Sequence, residues 1–251
     1  MENQEDVLLK KRFIDLSRMA NRRDIVTFSN FLNLNELNLF YQTAANMETV
    51  YQLSGGYEFA ERQMIAFIPD ALYYEWEFPI SCLLFRPSYP KFAEELTHRD
   101  VLGALMNLGI ERSRIGDIKL DGQNYYIFCE DGIADYLLDS LTQVKHTMVT
   151  GEKIDASLQK IEQKFETMQG IIASNRLDNI VSFVIGKSRS QSVVYIQSQK
   201  VFVNERLITS NAYDCKESDV ISIRGFGKYI YAGSSGETRK GRMKVTIKKY
   251  I

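Results

Sequence analysis

The stretch GKSRSQSVVYIQSQKVFVN, Gly186–Asn204, decides the fold of the last third of the chain. Its first half places Lys187 and Arg189 among serines, and Ser188 stands three residues before Gln191, which is the spacing of a helix capping box. Its end, KVFVN, has the pattern of a strand. The stretch therefore predicts a helix that begins among cations and leads directly into a strand.

A second helix is predicted immediately upstream. In SNRLDNIVSFVIG, residues 174–186, the apolar residues recur at helical spacing behind a Ser174/Asn175 cap. A helix start presents free N–H groups and partial positive charge, so Ser188, Arg189 and Ser190 form a natural phosphate seat. Arg176 could add a bidentate fork, and Lys200 and Asn204 would flank it. Alternatively, the serines are plain caps and the arginines a solvated face.

The distribution of charge favours the phosphate interpretation. The chain has 251 residues and a formal net charge of −1. Residues 171–251, however, contain 14 Lys and Arg against 6 Asp and Glu, whereas residues 1–170 contain 17 against 26. A compact basic segment of this density is typical of proteins that bind a phosphate backbone.

The central segment has the pattern of a split βαβ domain. The strand ISCLLFRPS precedes a helix with a Thr97/Asp100 capping box, and Asp121-Gly122 separates two alternating runs as a hairpin turn does. A helix in IADYLLDSLTQV and a strand in HTMVTGEKI follow. The order βαββαβ predicts a ferredoxin-like sheet with both helices on one face.

The complete expectation is an α+β protein of three parts. Residues 1–79 are expected to be mainly helical, because their first 54 residues carry helical apolar spacing without Pro or Gly. Residues 80–170 comprise the ferredoxin-like domain and a helical connector, DASLQKIEQKFETMQG. Residues 171–251 form a small α+β module that ends in two or three glycine-punctuated strands.

Several function classes lack a sequence signal. Cys82, Cys129 and Cys215 are far apart and odd in number, and His98 and His146 have no partners at metal-ligand spacing. Nucleotide-binding glycine motifs, a signal peptide and a membrane-length apolar run are missing as well. We therefore expect a cytoplasmic protein without metal, cofactor or membrane partner.

The last third also resembles a known RNA-binding module. RLDNIVSFVIGKSRSQSVVYIQSQKVFVNERL, followed by DVISIRGFGKY, is similar to the module first known from small-subunit ribosomal protein S4. RGFGKY and GETRKGRMKV near the end, and GGYEFAERQ before the central domain, extend the resemblance to the bacterial YlmH family. The sequence departs from the module at Gln199-Lys200-Val201, where a glycine often precedes the strand, and at Glu205-Arg206, which stand in place of a small turn residue.

The resemblance implies a set of RNA-binding residues and a setting. It implies binding of structured RNA, namely rRNA and tRNA, on the large subunit of the ribosome in translation quality control. It also implies that phosphate contacts outweigh base readout. By position it implies an RNA face with a central group and an extension toward the end of the chain. The residues are Arg176, Lys187, Ser188, Arg189, Ser190, Lys200 and Asn204, extended by Arg224, Lys228, Arg239, Lys240 and Arg242.

We expect a protein that is not an enzyme, and alternatives remain. An Arg-Leu-Asp motif also carries the catalytic aspartate of pseudouridine synthases, but here Asp178 is better explained as an acid at a helix start. A protein-interaction adaptor with an incidental basic tail is the other alternative. Tyr126, Phe128 and Phe85 invite comparison with base-stacking aromatics, although alternating aromatics are more often core. GGYEFAERQ is expected to join domains or to face a partner; alternatively, its glycines are plain structural turns.

Overall fold

The computed structural model describes residues 4–155 and 164–250, and the chain divides into two compact units, Met1–Ile161 and Glu162–Ile251. Helices and sheets occur in both units, so the α+β class predicted from the sequence is confirmed. None of the helices in the described ranges is long and apolar enough to span a membrane.

The first unit begins with two helices packed on a small antiparallel sheet. Its elements are α1 (Gln4–Arg23), β1 (Thr27–Phe28), α2 (Leu34–Thr43), β2 (Val50–Ser54) and β3 (Met64–Ile68), with strand order β1-β3-β2. Phe13 of α1 and Phe40 of α2 meet edge to face at 5.5 Å above β3. The mainly helical expectation therefore misses β1 and β2, whereas β3 coincides with the apolar, strand-like run that ends before Pro69. In β2, β-branched and aromatic residues pair with β3, and this tertiary pairing outweighs the local helical pattern.

The ferredoxin-like order βαββαβ is present as predicted. It consists of β4 (Ile80–Pro87), α3 (His98–Asn107), β5 (Ile115–Asp121), β6 (Asn124–Glu130), α4 (Asp131–Ser140), the short β7 (Gln143–Val144) and β8 (Thr147–Ile154). The antiparallel strand order is β5-β6-β4-β8-β7. The capping box at Thr97 forms as expected. Both helices bury their apolar residues against one side of the sheet, where Leu83, Phe85 and Ile127 lie.

The stretch GGYEFAERQ joins the two sheets of the first unit. The Asp117 carboxylate of β5 accepts hydrogen bonds from the Tyr57 hydroxyl at 2.6 Å and from the Glu61 and Arg62 amides at 2.7 and 3.1 Å. The Arg62 guanidinium in turn donates to the carbonyls of Phe31 and Ile115. This network agrees with the predicted domain-joining role, since it ties the N-terminal segment to the ferredoxin-like sheet.

The second unit is a six-stranded antiparallel sheet with two helices. Its elements are β9 (Phe165–Ile172), α5 (Leu177–Ile185), α6 (Arg189–Gln197), β10 (Val201–Val203), β11 (Arg206–Leu207), β12 (Val220–Ile223), β13 (Gly227–Glu237) and β14 (Met243–Tyr250). The strand order is β11-β10-β12-β13-β14-β9. Apolar residues of both helices share one core with Val203, Ile221 and Ile247 of the strands, so the helices cover one face of the sheet.

The prediction of a helical connector between the two domains is wrong for the connector residues that the structure describes. Residues 165–172 form β9, which pairs with β14 along its whole length, so the boundary expected after Gly170 falls inside a strand. Gly170 allows this pairing against the core, because a Cβ there would lie 2.2 Å from the Phe183 ring. The charged alternation that suggested a helix reflects one exposed strand face. Residues 156–163 of the connector lie outside the described residues.

The three cysteines give a prediction about thiol reactivity. Cys82, Cys129 and Cys215 are buried, and burial raises the pKa of each thiol to about 12. At pH 8 only about one thiol in ten thousand is then ionised, and the thiolate is the reactive form. We expect negligible alkylation by iodoacetamide in the native protein and full alkylation in denaturant, followed by mass spectrometry. Rapid native labelling of any of the three would contradict the assigned core.

Candidate nucleic-acid interface

The helix pair of the second unit is built by local signals in the sequence. Helix α5 has Arg176 as its N-cap residue and ends at Gly186, which takes φ +64° and turns the chain toward α6. Helix α6 begins at Ser188, and the predicted capping box with Gln191 is present. The expected Ser174/Asn175 cap is instead a bracing contact, in which the Asn179 amide donates to Ser174 Oγ at 2.9 Å.

The start of α6 presents the expected cluster to solvent. Lys187, Ser188, Arg189 and Ser190 are all exposed, and the hydroxyls of Ser188 and Ser190 lie 3.0 Å apart. The first N–H groups of a helix have no partner within the helix and carry partial positive charge. Hydroxyl donors, backbone donors and two cations thus converge at one exposed position. This is the chemistry that a phosphate group requires.

Arg189 is held by a buried carboxylate rather than standing alone. Its Nε and Nη2 atoms lie 2.8 and 2.7 Å from Asp178 Oδ2, and Arg176 Nη2 lies 3.3 Å from the same oxygen. The Asp178 side chain is 1% exposed, whereas those of Arg176 and Arg189 are 38% and 54% exposed. One buried acid therefore fixes the direction of two half-exposed guanidinium groups. The trio keeps a net charge of +1.

This position also explains the Arg-Leu-Asp motif. Asp178 lies in the first turn of α5, as predicted, and its backbone carbonyl accepts a hydrogen bond from Ser192 Oγ at 2.9 Å. Asp178 Oδ1 and Arg176 Nε are buried, and neither has a hydrogen-bond partner among residues 4–155 and 164–250. Asp178 therefore joins α5 to α6, because its carboxylate binds Arg189 and its backbone carbonyl binds Ser192. The sequence alone indicated a helix-start acid but gave no sign of this anchoring role.

Lys200 lies at the opposite end of α6. Its ammonium stands 5.4 Å from the centre of the Tyr195 ring, which itself meets Phe226 edge to face at 5.3 Å. The carbonyl of Lys200 accepts the backbone N–H of Arg224 at 2.9 Å, so these two residues are backbone neighbours. Arg224 lies over the Phe202 ring, 5.7 Å from its centre. Tyr195 is a contributor that the sequence analysis did not single out.

Asn204 is occupied within the fold. Its amide donates to Asp219 Oδ1 at 2.8 Å, and its Oδ1 accepts the Val220 N–H at 2.9 Å. Its φ of +47° places it in the left-handed region, which asparagine tolerates better than most residues. The side chain therefore closes the turn after β10. Contact between Asn204 and RNA stays a prediction that this geometry does not favour.

The remaining predicted residues lie elsewhere on the sheet. Lys228 stands over the Tyr250 ring at 5.1 Å, on the face opposite to the helices. Arg239, Lys240 and Arg242 are exposed in the turn between β13 and β14. Lys228 is at the start of β13 and this turn follows its end, so about 30 Å separates them. The predicted set is therefore not one patch: the helix-pair group forms the candidate site, and the others surround the sheet.

Two of the three central aromatics, Phe85 and Phe128, are buried and cannot stack on bases. Phe128 is 0% exposed and lies under Tyr57, with ring centres 4.8 Å apart. Phe85 points to the other side of the sheet, where it stacks on Tyr125. The interpretation as core is thus confirmed for Phe85 and Phe128, whereas Tyr126 is half-buried and its contact with bases stays a prediction. In residues 4–155 and 164–250, no three His, Cys, Asp or Glu side chains are grouped closely enough to hold a metal ion.

Comparisons with known proteins agree with this geometry. Residues 175–221 match the S4 domain model, and residues 75–158 match a model described as "Putative RNA-binding domain in YlmH". The ribosome-associated protein quality control protein P2 of Bacillus subtilis (strain 168) is 28% identical over 245 residues, 96% of this chain and 95% of the relative. A solved structure, cell division protein YlmH from Streptococcus pneumoniae, has 24% identity and a TM-score of 0.50, covers 61% of this chain and 93% of that chain, and shows a shared fold.

The fold and the helix pair together define an RNA-binding protein with an S4 domain near its C-terminus. The chain resembles the YlmH family, whose RNA-binding domain model matches its central segment.

Proposed function

We propose that this chain is a non-catalytic protein that binds structured RNA, namely rRNA and tRNA, on the large ribosomal subunit in translation quality control. The observation that carries the RNA part is the exposed cationic face of α6, with Arg189 anchored on buried Asp178 inside an S4 domain. The ribosomal part is supported by the name of the Bacillus subtilis relative, which covers almost the whole chain.

The helix pair would hold RNA mainly through its phosphates. Lys187 precedes α6 and Lys200 follows it, and a helix of nine residues measures about 13 Å. Cations at both ends of such a rod can contact successive phosphates of a folded strand, with Arg189 between them as an oriented fork. Phosphate contacts of this kind make the affinity strongly dependent on salt.

The acidic first unit would contribute to the choice of binding partner. Residues 1–161 contain 24 acidic against 16 basic residues, and the ferredoxin-like sheet buries Phe85 and Phe128, two of the aromatics that could have stacked bases. A surface of this sign repels phosphate and favours basic protein partners. We therefore assign RNA contact chiefly to the second unit, and protein contact or exclusion of wrong RNA to the first.

The non-catalytic assignment competes with an RNA-modifying enzyme. The catalytic motif of pseudouridine synthases would require Asp178 to reach a substrate, but its side chain is 1% exposed and bound to two arginines. Mass spectrometry of total RNA from a strain that lacks this protein should show every modification retained. Loss of a specific modified nucleotide would overturn this part of the proposal.

Ribosome association can be tested by sedimentation of the full chain with purified subunits. We expect comigration with large subunits at low salt and release as the salt concentration rises, because phosphate contacts exchange with bound counterions. A protein that stays at the top of the gradient with either subunit would contradict the proposal. Comigration that is insensitive both to salt and to charge reversal on α6 would favour the protein adaptor.

A further inference from the structure

The sheet of the second unit has a second cationic face, opposite to α5 and α6. On β14, Val245 and Ile247 are buried in the core that the helices share, so the alternate residues point away from the helices. The register with β9 places Thr167 beside Lys248 and Ile171 beside Lys244. We call this surface the outer face. Its residues are Phe165, Thr167, Gln169 and Ile171 of β9, Lys228 of β13, and Lys244, Thr246, Lys248 and Tyr250 of β14.

The outer face carries one sign of charge. Lys244 and Lys248 are exposed, and Lys228 is half-buried beside them. Within the segments 165–171, 228–232 and 244–250, Glu166 is the acidic residue, and it points to the helix side, where its carboxylate lies 3.6 Å from Lys249. Three lysines therefore share a strip of sheet on which these segments place no carboxylate. The complementary partner is a polyanion.

Aromatic rings organise the lysines at one end of the strip. Lys228 lies over Tyr250 at 5.1 Å and Lys248 over Phe165 at 5.9 Å, while the two rings meet edge to face at 5.0 Å. Thr167, Gln169 and Thr246 add polar groups along the middle, and Ile171 is 55% exposed at the other end. Cations interleaved with aromatic and hydrogen-bonding side chains characterise sheets that bind single-stranded nucleic acid.

The dimensions select among forms of RNA. Residues 244–250 extend over about 20 Å and three strands span about 10 Å in width, which suits a few nucleotides laid along the strands. A flat strip of this kind does not enter the deep, narrow major groove of an A-form duplex. Separated bases, in contrast, can lie against Phe165, Tyr250 or Ile171 while the lysines contact phosphates.

We propose that the outer face is a second RNA-binding surface, which takes a single-stranded segment while the helix pair holds structured RNA. This inference rests on the proposed RNA-binding function and extends it to a face that the sequence analysis touched through Lys228. Lys244 and Lys248 are the residues that it newly assigns. The protein would thereby contact two parts of one RNA at once.

The test uses the full chain with Lys244→Glu and Lys248→Glu together, and two fluorescent probes. One probe is a uridine oligonucleotide of about twelve nucleotides, and the other is a blunt RNA hairpin. We expect the charge reversal to weaken oligonucleotide binding at least about tenfold and to change hairpin binding less than about twofold. Lys244→Gln with Lys248→Gln should show a smaller loss in the same direction, and Lys11→Glu with Lys91→Glu, both exposed lysines of the first unit, controls for net charge.

The outcomes separate this inference from the proposed function. Unchanged oligonucleotide affinity in the outer-face variants, while reversal of Lys187 and Lys200 abolishes hairpin binding, would overturn the second surface alone. An equal loss for both probes would overturn its preference for single strands. If neither pair of reversals affects either RNA, both the second surface and the proposed RNA-binding function fail. Anisotropy titrations at one fixed salt concentration supply all four comparisons.

Discussion

Reversing both lysines that flank α6, Lys187→Glu with Lys200→Glu, is expected to weaken binding of structured RNA by at least about tenfold. Both side chains are exposed, and Lys200 contacts the outside of the Tyr195 ring rather than a carboxylate. The change therefore removes phosphate contacts and adds repulsion without opening the core. The slope of log affinity against log salt concentration should also fall in magnitude by about two, because two phosphate contacts are lost. Titration of a hairpin RNA at several salt concentrations measures both quantities.

Arg189 is a poorer choice for this experiment than its sequence position suggests. Arg189→Glu would set a new carboxylate against buried Asp178, so a loss of RNA binding could report unfolding of the helix pair. The lysine pair avoids this ambiguity. Lys11→Glu with Lys91→Glu changes the net charge equally and should retain affinity within about twofold. Equal losses in the two double variants would mean that net charge alone, not the α6 face, drives binding.

Asp178→Ala is expected to destabilise the second unit by about 2 to 3 kcal/mol. Breaking a buried ion pair typically costs about 3 to 5 kcal/mol. The cost should be lower here, because Arg176 and Arg189 are 38% and 54% exposed and can turn to solvent. The helix-start acid is lost as well, which adds to the effect. Hydrogen exchange of the α5 amides in the folded chain measures the change locally.

Two further variants identify the cause of this effect. Asp178→Asn keeps the shape and removes the charge, so it should also destabilise α5 and lower RNA affinity, because the Arg189 fork loses its orientation. Glu237→Ala removes an exposed acid at the far end of β13 and should leave α5 exchange unchanged within about 0.5 kcal/mol. Protection of α5 that is equal in Asp178→Ala and Glu237→Ala would contradict the anchoring role.

Local signals made a large part of the fold predictable. The capping boxes at Thr97 and Ser188 place the starts of α3 and α6, because such side chains bond to backbone groups only a few residues away. The βαββαβ order follows from alternating and helical periods that each element carries itself. The hairpin between β5 and β6 was also expected, although its two loop residues are Gly122 and Gln123, one position later than the Asp121-Gly122 signal.

The missed features depend on partners that are distant in sequence. Strand β9 is stabilised by β14, some eighty residues away, and its own composition resembles a charged helix. Likewise, Asp178 has both arginines as neighbours only after α6 folds back on α5. The alternation in MKVTIKKY places Lys244 and Lys248 on the same face of a strand. Which face of the sheet this is, however, depends on the register of β14 with β13 and β9. Residue type therefore indicated the chemistry of the site, whereas its division between two faces required the tertiary structure.

The most direct test of the central claim is ultraviolet crosslinking in cells, followed by mass spectrometry of the peptides that remain attached to RNA. If the cationic face of α6 binds folded RNA, the attached peptides will come from residues 174–204, and their yield will fall in Lys187→Glu with Lys200→Glu. Crosslinks that map only to residues 4–155, with no attached peptide from the second unit, would contradict the account.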